Sequence, residues 1–455
     1  MEWVKRAAAI GAAVGALFGA GVARAVDDAV LQRLEELEDE VQSMNGLQQE
    51  VQLLKRRLEV KEEAEAAKGP GPLIGAGLDG FFLSSADRKW IVKLRGYAQS
   101  DSRWYGADED DALSDAFLLR RVRPIFEGAL AGWIDFRLMP DFANSSLVLQ
   151  DAYANLRPFG ALAQLQAGKF KAPFGLERLQ SGTALHFIER GLPTQLAPNR
   201  DLGVQLWGDW RGGLLTYQLA VMNGVADGAS TETDSNDAKE IVGRIFAKPF
   251  QETTFEPLQN FGIGAAFSWG HQNGTPSDYR TAGQQRFFRW ASNSELDSGR
   301  WRAGPQLYWS WGPFGLLGEY YISDNTVQRS GDEGDVDVHS WQLATTYVLT
   351  GENASFNGVL PREPFSPGSG GFGAIELAAR YGELTVDDEA FDLGFASASS
   401  SAEQAREVTG GVNWYLNRWL KLQLDYSRTW FEGGAPDGED RDTEHFVATR
   451  LQLAY

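Results

Sequence analysis

The chain has no cysteine and only four histidines among its 455 residues. Without cysteine it forms no disulfides, zinc–thiolate sites or cysteine nucleophiles. No histidine stands in an HExxH sequence, and no nucleophile-elbow or P-loop sequence occurs. The acidic runs at 108–111 and 437–442 lack the glycine and spacing of a calcium loop. We therefore expect no enzyme activity, no metal site and no cofactor.

Long hydrophobic runs are also missing after the N-terminus, and the mean hydropathy is −0.32. A bundle of membrane-spanning helices is therefore excluded. Fifty-one glycines, 12% aromatic residues and many short alternating segments favour an all-β protein. The formal net charge of −20 argues against nucleic acid as a partner.

Residues 1–25 are predicted to be a secretory signal peptide. Lys5 and Arg6 precede a short apolar run, and Ala23-Arg24-Ala25 is typical of a cleavage site. A membrane anchor is the alternative, although the run is short for a spanning helix.

Residues 27–66 are predicted to form a periplasmic coiled coil. Apolar residues recur at the spacing of a heptad seam, and Asn45-Gly46 interrupts the pattern. The first seam residues are Val30, Leu34, Leu37, Val41 and Met44. One such helix cannot bury its own seam, so a partner is expected. The alternative is a lone helix that lies on the barrel predicted below for residues 80–455. Residues 67–79 read as a flexible linker.

From residue 80 to 455, short segments alternate between apolar and polar side chains. Val92 and Leu94 share one face of a strand, and Lys93 and Arg95 share the other. Large apolar and aromatic residues near strand ends favour a membrane barrel over a soluble sandwich. The sequence predicts an all-β fold, a 16-stranded antiparallel transmembrane β-barrel, with an N-terminal helical coiled-coil segment.

Strand connections are predicted to alternate between short turns at one end of the barrel and long loops at the other. The segment Ser323 to Val336 is predicted to be one of the long loops. Pro249 to Gln259 and Thr350 to Gly371 break the rule, because they are long at the end that should be short. Arg286 to Trp290 is placed in a loop, since an even strand count closes the barrel.

Two motifs carry a family resemblance, DAYANLRP at 151–158 and AGKFKAPFGLERLQS at 167–181. Four later segments follow in the same order: GPFGLLGEY, YVLTGE, GAIELAARY and GVNWYLN. Together they resemble the phosphate-selective porin O and P family. The resemblance implies a sixteen-stranded outer-membrane barrel, usually trimeric, that passes small anions. It also implies that 172–200 folds into the lumen and narrows the pore beside Lys169 and Lys171.

Basic residues are concentrated in the first five strands. Residues 90–200 contain 13 Lys or Arg and 12 Asp or Glu, and five of those acids lie in the loop 108–115. Clustered cations on a low-dielectric wall raise the local concentration of anions. The candidate pore-lining residues are Lys93, Arg95, Arg121, Arg123, Arg137, Lys169 and Lys171, with Arg178 and Arg190 as further candidates. The alternative is that these cations pair with nearby acids and only hold the wall together.

We therefore expect a channel in the outer membrane of a Gram-negative-type bacterium, through which small anions such as phosphate or polyphosphate diffuse passively. A dicarboxylate or general porin is one alternative, and a structural outer-membrane tether is another. The expected partners are outer-membrane lipid, lipopolysaccharide, small anionic solutes and two further copies in a homotrimer. Peptidoglycan or another periplasmic partner is expected for the coiled coil.

Overall fold

Sixteen antiparallel strands form a closed barrel. The computed structural model describes residues 22–67, 71–77, 80–106, 114–234, 237–368 and 370–455. The barrel strands are β3 (Ile91–Gly106), β4 (Ala116–Leu130), β5 (Ile134–Asp141), β6 (Val148–Leu156), β7 (Gln164–Lys171), β8 (Arg200–Trp210), β9 (Leu215–Met222), β10 (Glu240–Ala247), β11 (Gly262–Gly274), β14 (Glu295–Trp311), β15 (Phe314–Arg329), β16 (Asp332–Val348), β17 (Ala374–Val386), β18 (Ala402–Tyr415), β19 (Leu420–Gly433) and β20 (Glu444–Ala454). The last strand pairs with β3 and closes the sheet, so the predicted sixteen-stranded barrel is confirmed.

Side chains alternate between the two faces of the wall, as β19 illustrates. Leu422 and Leu424 are exposed on the outer face, whereas Gln423 and Asp425 are buried in the lumen. A transmembrane barrel needs this arrangement, with apolar residues towards lipid and polar residues inside.

A 46-residue helix, Val22–Ala67, forms a separate unit. It is continuous through Asn45-Gly46, where the heptad pattern is interrupted, and its seam residues are exposed. The coiled coil therefore stays a prediction. Most of the predicted signal peptide lies outside the described residues. No helix in the described part of the chain is both long and apolar enough to span a membrane.

The predicted flexible linker is partly wrong. Two short strands, β1 (Leu73–Gly77) and β2 (Gly80–Ser84), form a hairpin that pairs with β3. The barrel unit therefore begins at Pro72. The run Leu73–Gly77 contains two glycines and shows no alternation of apolar and polar side chains. The sequence therefore did not indicate that it pairs as a β-strand.

The connection predicted as a long loop at Ser323 to Val336 is a tight turn. β15 and β16 extend to Arg329 and from Asp332, and only Ser330 and Gly331 join them. Both residues have positive φ values, 58° and 102°, which two-residue hairpin turns of type I′ require. The two longer connections at the opposite end, 248–261 and 349–373, are present as predicted. Arg286–Phe288 (β13) pairs only with Tyr279–Arg280 (β12), outside the barrel wall.

Much of the lumen is filled by inward-folded connections. Phe174 comes from 172–199, Phe288 from 275–294 and Phe395 from 387–401, and all three lie in one buried apolar cluster with residues of the barrel wall. From the short-turn end, Val359 packs against Tyr415. A cavity remains between these segments and the wall formed by β3–β9.

Candidate functional site

The segment 172–199, which joins β7 to β8, runs through the lumen, and we call it the inner loop. The Lys421 ammonium donates to the carbonyl of Leu185 (2.9 Å), and Arg450 donates to the carbonyl of Ile188 (2.7 Å). Both donors are buried side chains of the far wall, so they hold the loop across the barrel. The inner loop therefore narrows the lumen, as the family resemblance implies.

A cavity of about 690 Å³ lies between the inner loop and the wall of β3–β9. Among the described residues that line it, nine are basic, and Asp151 is the one acidic side chain. The basic residues are Arg95, Arg120, Arg121, Arg123, Arg137, Lys171, Arg178, Arg190 and Arg200. A low-dielectric wall with so many charges of one sign concentrates the opposite ion, so this cavity favours anions.

A second cavity of about 340 Å³ lies towards the long-loop end, beside residues 277–284. Four residues line both cavities, and we call them the junction: Arg120, Arg178, Arg190 and Asn199. A solute that passes from one cavity to the other meets these side chains. Three of the four are arginines, so positive side chains lie where the two cavities meet.

Arg120 reaches the lumen because of a β-bulge. Gln99 of β3 pairs with Arg121, but Ser100 pairs with Leu119, so Arg120 has no opposite residue. An extra residue of this kind redirects side chains locally. Arg120 and Arg121 consequently both line the first cavity, although neighbours in a regular strand point to opposite faces.

Arg178 and Arg190 are positioned by the backbone of the inner loop itself. Arg190 donates to the carbonyls of Glu177 (3.0 Å) and Gln180 (2.9 Å). Arg178, in the single helical turn Leu176–Leu179, donates to the carbonyl of Thr194. The ammonium of Lys171 is held in the same way, by the carbonyls of Leu179 (3.2 Å) and Gln180 (2.9 Å).

Five of the nine cations have carboxylate partners. The pairs are Arg95–Glu127 (2.7 Å), Arg120–Glu189 (2.6 Å), Arg123–Asp141 (2.7 Å), Arg137–Asp151 (3.3 Å) and Arg200–Asp151 (2.7 Å). For Arg121, Lys171, Arg178 and Arg190, no ion pair forms within the described residues. Arg121 instead donates to the amide oxygen of Gln99 (2.7 Å). Within the described chain, these four side chains therefore have no carboxylate at ion-pair distance.

The electrostatics of the inner loop follow from this shortage of anions. Burial, together with the positive charges of Arg190 and Arg200, lowers the pKa of Arg178 to about 9. Burial also lowers the pKa of Arg190 to about 10, although Glu177 opposes the shift. Burial alone would raise the pKa of Glu189, but Arg120 and Arg103 hold it well below its usual range. A mobile anion near Arg178 and Arg190 would relieve their mutual repulsion.

Five of the seven predicted pore residues line the first cavity: Arg95, Arg121, Arg123, Arg137 and Lys171. Lys93 lies on the same face of β3, nearer the short-turn end, in a recess with Glu127, Asp135 and Arg137. The alternative reading also has support, because Arg95, Arg123 and Arg137 are ion-paired with wall carboxylates.

Lys169 does not line either cavity, which corrects the prediction that it acts beside Lys171. Its ammonium is buried and donates to Glu232 of the connection 223–239 (2.9 Å). Phe170 faces the cavity, so alternation turns Lys169 away from it. Lys171 does not follow this alternation, because β7 ends at Lys171 and the chain turns there into the inner loop.

Arg120 and Arg200 line the first cavity but were not predicted from the sequence, and Arg178 and Arg190 were only further candidates. No sequence signal marks the bulge at Arg120, because alternation alone assigns it to the lipid face. Arg178 and Arg190 could have been ranked higher, since both lie in the segment that the family resemblance places in the lumen.

Comparisons with known proteins agree with this architecture. The family model described as phosphate-selective porin O and P matches residues 92–455. Porin O of Pseudomonas aeruginosa is 24% identical over 421 residues, covering 83% of this chain and 91% of the relative. The outer membrane channel DcaP of Acinetobacter baumannii has a TM-score of 0.53 at 12% identity, covering 82% of this chain and 99% of that chain. OmpT of Vibrio cholerae, an outer membrane protein, has a TM-score of 0.51 at 10% identity, covering 81% and 98%.

Proposed function

The chain belongs to the phosphate-selective porin O and P family, and from this premise we propose that small anions are selected at its arginine-rich junction. The family and the closed barrel identify an outer-membrane channel. Transport is passive diffusion, in which fixed charges set the local concentration of the permeating ion.

The observation that carries the proposal is the charge balance of the first cavity. Its described lining holds nine basic side chains and one acidic side chain, in a protein whose formal net charge is −20. Charges in a wet lumen act only over about 8 Å at physiological ionic strength. Residues at the junction therefore outweigh the acidic residues of distant loops.

Phosphate and polyphosphate are the solutes that we propose. Guanidinium groups offer planar paired donors that match phosphate oxygens. Arg121, Arg178 and Arg190 combine this geometry with the lack of a fixed carboxylate partner in the described chain. The family description supports the same solute class.

We also propose assembly as a homotrimer, supported by the exposed seam of the N-terminal helix. Val30, Leu34 and Leu37 are all exposed in the single chain, and burial against copies of the same helix would cover them. Binding of peptidoglycan or another periplasmic component by the helix is the second role that we consider.

The test of the proposed function is a reversal-potential measurement on the purified protein in a planar bilayer under a potassium chloride gradient. We expect chloride to permeate more readily than potassium, with a stronger preference at low salt because screening is weaker. A channel that prefers potassium would contradict the proposal. A barrel that conducts no ions would instead favour the tether.

A further inference from the structure

The hairpin β1–β2 extends the barrel wall at the seam where the sheet closes. β20 pairs with β3 as far as Tyr97, and Tyr455 exchanges backbone hydrogen bonds with Gly96 (both 2.9 Å). Immediately beyond, β2 pairs with β3 over Ile91 to Leu94. β2 therefore continues the line of the C-terminal strand towards the short-turn end, and β1 lies beside it.

The outer face of this hairpin carries large apolar side chains. Ile74 is 81% exposed, Phe81 57% and Leu83 50%. Such a cluster of exposed apolar residues indicates a surface that something covers. On the other face, Ser84 is buried and Phe82 is half-buried.

The register shows that these residues continue the apolar outer wall of the barrel. One cross-strand row runs Ala76, Phe81, Leu94, Phe126 and Leu138 over five neighbouring strands. A second row runs Ile74, Leu83 and Val92. Cross-strand partners share a face, and in an outer-membrane barrel that face contacts lipid.

The depth of the hairpin follows from its neighbours. Trp90, which is exposed, directly precedes β3, and the polar turn Ser85 to Lys89 lies beyond it. Tryptophan is enriched where a membrane meets water. Among the described residues β1 pairs only with β2, and its other backbone edge cannot lie in the hydrocarbon interior, because it needs water or headgroups. The hairpin therefore fits the headgroup–acyl boundary.

We propose that the outer face of the hairpin 73–84 is a lipid-binding surface for the membrane leaflet at the short-turn end, which is the periplasmic leaflet in outer-membrane barrels. Ile74, Phe81 and Leu83 insert among the acyl chains, while the free edge of β1 meets the headgroups. The hairpin thereby fixes the chain to the membrane boundary beside its own C-terminal strand, where a flexible linker would leave it free.

Single-cysteine labelling of the full-length protein in phospholipid vesicles tests this proposal cleanly, because the native chain has no cysteine. A nitroxide is attached at Ile74→Cys or Leu83→Cys, and its collisions with oxygen and with a water-soluble nickel chelate are measured. Phe126→Cys reports the lipid-facing wall, and Asp87→Cys reports the aqueous turn.

We expect the oxygen-to-nickel collision ratio at Ile74 and Leu83 to approach that at Phe126 and to exceed that at Asp87 several-fold. Ratios equal to that at Asp87 would overturn the proposal and restore a solvated linker. Exclusion of both reagents, with spin–spin broadening between protomers, would also overturn it and assign the face to a second copy. Because the readout does not depend on conduction, it is independent of the proposed anion selectivity.

Discussion

Arg120 of the junction donates two hydrogen bonds to the carboxylate of Glu189. Its Nε lies 2.6 Å from one oxygen and its Nη2 lies 3.1 Å from the other. Arg103 donates to the same carboxylate at 2.6 Å. One acidic residue of the inner loop thus pairs with two wall arginines. Glu189 limits the positive charge beside the junction and links the inner loop to the barrel wall.

Glu189→Gln should strengthen the preference for anions. The change removes the negative charge that faces Arg120 and Arg103, and leaves an amide oxygen that still accepts hydrogen bonds from them. Reversal potentials in a salt gradient measure the effect. Removing one partner of a buried ion pair commonly costs about 3–5 kcal/mol, so the variant should also unfold at a lower temperature.

Glu232→Gln is the matched control, because its carboxylate pairs with Lys169 away from both cavities. It should leave the permeability ratio near the wild-type value. A weaker anion preference in Glu189→Gln would show that the position of the inner loop outweighs the charge at the junction.

The two lysines that end β7 should behave differently. Lys171→Gln removes a cavity-lining charge with no ion-pair partner in the described chain, so the chloride preference should fall. Lys169→Gln breaks an ion pair with the half-exposed Glu232 and should barely change selectivity. Permeability ratios from the two variants, measured at low salt, compare them directly. Equal losses of chloride preference in the two variants would refute the assignment of different roles to Lys169 and Lys171.

The barrel could be predicted because its determinants are local. In β19, each second residue must suit lipid, so the alternation of Leu422 and Leu424 with Gln423 and Asp425 is visible in the sequence. The same rule correctly assigned Arg121, Arg123 and Arg137 to the lumen. The family motifs, in turn, located the segment that becomes the inner loop.

The remaining features depend on relationships that no local pattern contains. The bulge that exposes Arg120 is a mismatch between β3 and β4, and either strand alone appears regular. Lys169 pairs with Glu232, which is distant in sequence, so its neutralisation could not be anticipated. The tight turn at Ser330-Gly331 was missed because the polar residues around it resemble a loop.

A peptide of residues 27–66 should be helical and oligomeric. An isolated helix of this length is only marginally stable, and burying its apolar seam against other helices stabilises it. Because we expect the barrel to be trimeric, we expect a coiled coil of three helices. Leu37→Lys, on the seam, should shift the peptide towards monomer, whereas Gln49→Lys, off the seam, should not. Sedimentation equilibrium distinguishes these states, and monomer at high micromolar concentration would contradict the coiled coil.

Phosphate should compete with chloride inside the channel. If Arg121, Arg178 and Arg190 bind the doubly charged anion more strongly, micromolar to millimolar phosphate should reduce the single-channel chloride current in a saturable way. Arg190→Gln should weaken that block several-fold, because it removes a junction cation without a fixed carboxylate partner. Arg211→Gln, at an exposed turn between β8 and β9, is the matched control and should leave the block unchanged. Sulfate carries the same charge as phosphate and has a similar shape, so equal block by the two anions would support a general anion pathway. If phosphate does not block the chloride current at all, phosphate is excluded as the preferred solute.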